Sequence, residues 1–103
     1  MIISWTTESE LDNAGFNIYR SISPTKNFQR INTKLIQGAG TTGERNTYQF
    51  IDKTANPDVA YYYRIEDVDF SGTRGILTTY RLRGVITPTG KHTTTWGTLK
   101  DVR

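Results

Sequence analysis

The chain of 103 residues contains no cysteine. A disulfide framework, a thiolate metal site and a thiol nucleophile are therefore all excluded, while the cellular compartment stays open. Histidine is nearly as scarce. His92 is the only one, and no G-x-S-x-G elbow accompanies it, so a Ser-His-acid triad would have to be built around a threonine-rich C-terminal stretch. No apolar run approaches the roughly 20 residues that span a bilayer, and Met-Ile-Ile-Ser-Trp at the start carries no basic region or cleavage site of a signal peptide. Asn-x-Ser/Thr acceptors are missing too. Acidic charge is almost absent from the last third: from Arg74 onward, Arg74, Arg81, Arg83, Lys91, Lys100 and Arg103 face Asp101 alone. Such a basic third suits nucleic acid or an anionic polymer, but this spacing is more often the solvated face of an edge strand kept soluble by charge.

Threonine, glycine, tyrosine and isoleucine are plentiful and helix-forming runs are lacking, which points to one all-β domain. Its organising stretch is Val59 to Gly72, V-A-Y-Y-Y-R-I-E-D-V-D-F-S-G. With period 2, Tyr61, Tyr63 and Ile65 share one face, and Ala60, Tyr62, Arg64 and Glu66 share the other. Other strands follow the same logic. Ile2 to Thr6 turns Ile3 and Trp5 inward; Phe16 to Arg20 turns Phe16 and Ile18 inward; Thr47 to Ile51 sets Tyr48 and Phe50 on one face; Gly75 to Ile86 pairs back on the central strand with Ile76, Tyr80 and Leu82 inward. Between them, Glu8 to Gly15 reads as a polar loop, Ser21 to Asn27 as a turn around Ser23-Pro24, and Gln37 to Arg45 as a glycine- and threonine-rich loop with Asp52 opening the turn after Ile51. Phe28 to Ile36 lacks strict alternation and reads as a short strand pair or an irregular edge.

The spacing of Trp5, of Glu8 and Glu10, of N-A-G-F-N-I-Y-R-S at 13–21, of Y-Q-F-I-D at 48–52, of Y-Y-Y-R at 61–64 and of V-D-F-S-G at 68–72 resembles a bacterial fibronectin type III-like domain over residues 2 to 86. The resemblance implies an immunoglobulin-like antiparallel β-sandwich, with Trp5 as its core tryptophan and Tyr61 at the tyrosine-corner position, the hydroxyl bonded to backbone within Lys53 to Asp58. Two departures stand out. Only four residues precede Trp5, so the usual first strand is missing and the edge of Ile2 to Thr6 is bare. A tail follows, residues 87–103, in which Thr87-Pro88-Thr89-Gly90 reads as a turn. Thr93 to Lys100, carrying Trp96 and Leu99, reads as an added strand that hairpins onto the strand before it or covers an edge of a second copy, the alternative being a disordered terminus.

Several patterns invite chemistry. Gly38-Ala39-Gly40-Thr41-Thr42-Gly43 matches G-x-G-x-x-G, but a strand follows where a dinucleotide site needs a helix. Asp67 to Gly72 opens like a calcium loop, yet Thr78 stands where the bidentate Glu belongs, and a hairpin turn capped by Asp69 and Ser71 accounts for the same residues. The Glu8, Glu10 and Asp12 cluster raises the same metal question. Tyr19 and Tyr62 fall on outward positions of neighbouring strands and, with Trp96, make a candidate aromatic binding surface. The expected molecule is a non-catalytic spacer or protein-interaction module of a larger secreted or surface protein, without cofactor or metal. Its partners are neighbouring domains or another protein, a strand-exchanged copy among them, rather than nucleic acid or membrane. The alternative is a small carbohydrate-binding module. Trp5, Phe16, Ile18, Phe50, Tyr61, Tyr63 and Ile65 form its expected core.

Overall fold

The computed structural model describes residues 1–56, 58–83 and 93–102, with side chains described for 1–56 and 58–77. No described residue is helical. Seven strands join one sheet: β1 (Ile2–Ser21), β2 (Gln29–Arg30), β3 (Ile36–Thr42), β4 (Asn46–Ile51), β5 (Ala60–Asp69), β6 (Arg74–Arg83) and β7 (Thr93–Val102). All pairings among β1 to β6 are antiparallel, and β7 joins β1 in parallel. This all-β arrangement is compatible with a β-sandwich.

Everything hangs on β1. Along one edge it pairs in turn with β4 (Ile2–Thr7), β3 (Glu10–Phe16) and β2 (Tyr19–Arg20). Along the other it pairs with β7 (Ile2–Glu10) and then β5 (Asn13–Ser21), and β6 continues outward from β5. The expected loop at Glu8 to Gly15 is therefore strand. Register shifts at Glu10, Asn13 and Gly15, and a positive φ of 50° at Asp12, bend it without ending it. The bend brings the two halves face to face, so that the Trp5 and Phe16 rings, eleven positions apart on one strand, meet edge to face with centroids 5.4 Å apart. Tyr48 from β4 stacks on Trp5 at 5.7 Å and leans on Phe16 at 4.7 Å.

Ile3, Trp5, Phe16, Ile18, Tyr61, Tyr63 and Ile65 are the buried apolar cluster. Six of the seven expected core residues are thus in place, and Phe50 is only half-buried against the cluster, on a strand whose other face meets solvent.

Three further expectations are corrected. Gln37 to Arg45 is not a loop up to Thr42 but strand β3. Its glycine at 38 answers to crowding rather than to a turn, since a Cβ there would come within 2.5 Å of Asn13 Nδ2 and 2.8 Å of Asn13 O. On β6, Ile76 is 52% exposed, and Leu77 packs on the core instead. A bulge sets Ile65 opposite Thr78 but Glu66 opposite Ile76, which reverses the alternation. The side chains of Tyr80 and Leu82, and residues Gly84 to Ile86, lie outside the described residues, as does the expected turn at 87–90. Finally, the tail strand does not hairpin onto β6. It runs parallel along Ile2 to Glu10 in the same chain and covers that edge of β1.

Candidate functional site

β1 and β5 set the outer face of the sheet by register. Asn17 lies opposite Glu66, Tyr19 opposite Arg64 and Ser21 opposite Tyr62, and Arg30 of β2 flanks Tyr19 on its other side. Cross-strand partners share a face, so Tyr19 and Tyr62 do lie on one surface, both half-buried, with arginines between and beside them. Trp96 is not brought to them. Its backbone is the extra residue of β7 between the Ser4–Thr95 and Trp5–Gly97 pairs, along the other half of β1, and its side chain lies outside the described residues. His92 lies outside them as well.

Polar bonds hold this face in shape. Glu66 Oε1 accepts from Asn17 Nδ2 at 3.0 Å and from the Tyr19 hydroxyl at 3.2 Å, with Arg74 Nη1 4.0 Å away. Asn32 Nδ2 donates to Asn17 Oδ1 at 2.9 Å, and Asn32 Oδ1 accepts from Ile18 N at 2.9 Å, tying in the chain beyond β2. Burial and the neighbouring Glu66 charge push the Tyr19 phenol above its ordinary value, so it stays a donor at neutral pH. The Arg64 guanidinium lies 3.8 Å over the Phe28 ring. The tyrosines were legible from alternation. The arginines stand on the same outward positions of the same strands, and that periodicity was the signal available for them.

Two buried carboxylates make the other clusters. Glu10, 3% exposed, accepts from Thr7 Oγ1 at 2.8 Å, Asn13 Nδ2 at 2.6 Å, Ala39 N at 3.0 Å and the Tyr48 hydroxyl. Asp52, 2% exposed, accepts from Tyr63 OH at 2.7 Å, from Arg20 Nη1 at 3.0 and 2.8 Å, and from the Thr54 backbone and hydroxyl at 3.1 and 3.0 Å. Burial alone would raise both carboxyls. The hydrogen bonds outweigh it, with the Arg20 charge added at Asp52, and both are held below their ordinary values. Each is thus ionised at neutral pH and has no proton to give. The phenols of Tyr48 and Tyr63 are pushed up, by burial and by the carboxylates they serve.

The metal suspicions meet a similar geometry. Glu8 is exposed and pairs with Arg45 at 3.4 Å, and the Asp12 carboxylate turns to Thr41, so neither converges on Glu10. Asp69 Oδ1 caps Ser71 N at 2.9 Å and Thr73 N at 2.8 Å, and Gly72 takes the positive φ of 90° that the hairpin requires. Among the described residues no group of three His, Cys, Asp or Glu is placed to hold a metal ion, and no helix is long and apolar enough to cross a membrane. Comparison of the chain with protein-family models, with curated proteins and with solved structures finds no match.

Proposed function

We propose that the chain is a non-catalytic, fibronectin type III-like sandwich that works as a spacer within a larger secreted or surface protein of a bacterium, joining neighbouring domains in series. The parallel pairing of β1 with β7 carries this reading. It runs from the pair Ile2–Thr93 to the pair Glu10–Val102, so the start of β1 and the end of β7 stand at opposite ends of the ladder, roughly 26 Å apart. Tension applied through the two ends would load that ladder in shear, straining its hydrogen bonds together rather than one after another. The burial of Glu10 and Asp52, whose carboxylate oxygens are taken up by protein donors, supports the non-catalytic part.

Single-molecule pulling tests it. Because the chain has no cysteine, a lone thiol from Thr93→Cys gives a second attachment point at the same end of the ladder as Ile2. Pulling through the two chain ends is expected to require several-fold more force than pulling between the N-terminus and position 93, which peels the pair open. Equal forces in the two geometries would remove the load-bearing reading.

A second reading, carbohydrate binding, is favoured by one observation: Tyr19 and Tyr62 share a face.

A further inference from the structure

We propose that the outer face of β2, β1 and β5 binds a polysaccharide bearing carboxylates, a uronic acid polymer. The inference rests on the carbohydrate reading and adds the chemical class of the sugar. Charge is the first argument. Arg30 is exposed on this face, Arg64 is half-buried on it, and Arg74 is exposed beside it. The acid of this face, Glu66, lies 4.0 Å from Arg74, is 7% exposed and also accepts from Asn17 and Tyr19, so that one buried carboxylate stands against three guanidiniums. The surface therefore presents positive charge outward.

The kind of cation is the second argument. All three are arginines, whose planar, weakly hydrated fork matches a carboxylate in two-point fashion, where a lysine would offer a point charge. The third is what lies between them. Phe28, Tyr19 and Tyr62 put ring surface beside the guanidiniums, with Arg64 lying against Phe28. A pyranose offers an apolar C–H face for a ring and, when it is a uronate, a carboxylate on its rim for an arginine.

Placement argues against an extended peptide. A peptide that adds to a sheet needs an open strand edge, whereas β1 is paired on both sides here, β5 lies between β1 and β6, and the outer edge of β2 offers only the two residues Gln29–Arg30. A ligand on this face meets side chains alone. The Asn32–Asn17–Glu66–Tyr19 chain of hydrogen bonds already fixes the platform, which lowers the entropy lost on binding.

The experiment is calorimetric titration of the whole chain with polygalacturonate, with its methyl ester, with dextran, with poly-glutamate and with single-stranded DNA, at low and at physiological salt. Polygalacturonate is expected to bind, the methyl ester and dextran to bind at least tenfold more weakly, and added salt to weaken the interaction. Arg30→Ala and Arg64→Ala should each weaken it about tenfold, and circular dichroism of each variant checks that the fold is kept. Equal binding of dextran or methyl ester would overturn the uronate inference and leave the carbohydrate reading standing. Equal binding of poly-glutamate or DNA would mark a general polyanion surface and overturn it. Should polygalacturonate bind folded Arg30→Ala and Arg64→Ala undiminished, the face is the wrong one. Binding to no glycan would overturn both readings together.

Discussion

Glu10 and Asp52 are buried to nearly the same depth, yet the two ends of the core that they close are built differently. Glu10 sits where β1 bends. Its donors are two hydroxyls, an amide side chain and a backbone N–H, all neutral, gathered from β1, β3 and β4. Asp52 sits where the ends of β1 meet. Its backbone exchanges hydrogen bonds with Met1 at 2.8 and 3.1 Å, and its carboxylate reaches Arg20 and Tyr63. One end is held by dipoles around a lone anion, the other by an ion pair with a tyrosine and a threonine added. A bend needs many short bonds to shape irregular backbone, while two strand ends can be joined by one long side chain. The chemistry follows the geometry of each end.

The harshest way to break the comparison is to remove what both ends enclose. Trp5 is fully buried between Phe16 and Tyr48. Trp5→Ala is expected to lose about 3–5 kcal/mol, against a total of about 5–15 kcal/mol for a domain of this size. Urea denaturation followed by circular dichroism reads the loss. A midpoint near that of the parent would mean that the two halves of β1 are held by their polar ends alone.

A milder pair of variants sets one end against the other. Asp52→Asn leaves the Arg20 guanidinium, 22% exposed, without its anion, and about 3 kcal/mol is expected, the low end for a broken buried pair. Glu10→Gln keeps an acceptor but turns an amide N–H₂ toward groups that had been donating; the Thr7 and Tyr48 hydroxyls can rotate, so about 1–2 kcal/mol is expected. Acid separates the two as well. Both carboxyls lie below their ordinary values of 4.5 and 3.8 in the folded chain, so the unfolded chain takes up protons first as pH falls. Their contributions are complete above those values and are lost below them. In a titration of the denaturation midpoint from about pH 6 to about pH 3, Glu10→Gln should remove the earlier part of the decline and Asp52→Asn the later part. If both variants follow the parent curve with a constant offset, neither carboxylate supplies the acid dependence.

How much of this was legible in the sequence differs between the two ends for a physical reason. Period-2 alternation placed β5, the inward faces of Ile2 to Thr6 and of Phe16 to Arg20, and most of the core, because those strands obey the rule that one face is dry. The bend could not be seen that way. Buried Glu10 and Asn13 have the composition of a loop, and only their hydrogen bonds make them interior. Ile76 was misplaced by a one-residue bulge, which no local pattern announces. The strand character of Thr93 to Lys100 was visible, but its parallel partner lies about ninety positions away, and pairing over that distance is decided by the finished sheet. On the outer face the tyrosines were found and the arginines beside them were passed over, since an outward arginine on a strand reads first as solubility.

The smallest expected effect sharpens the Asp52 end alone. The Tyr61 hydroxyl accepts a hydrogen bond from Asn56 N at 2.9 Å, inside the segment expected to meet it, and the Arg20 guanidinium lies 4.7 Å over the same ring. The ring is buried, but Asn56 is exposed, so water can take over the freed N–H once the hydroxyl is gone. Tyr61→Phe should therefore lose about 1 kcal/mol, the low end for an orphaned partner, with the Arg20–Asp52 pair left intact. The turn should register it first. Asn56 O accepts from Val59 N at 3.1 Å and its side chain from Asp58 N at 2.9 Å, so Asn56 organises the approach to β5. Amide exchange at Asn56 and Val59 should quicken while Ile18 and Ile65 keep their protection. A loss as large as that of Asp52→Asn would show that the tyrosine and the ion pair act as one unit. Unchanged exchange and stability would show that the Tyr61 hydroxyl takes no part in holding this end.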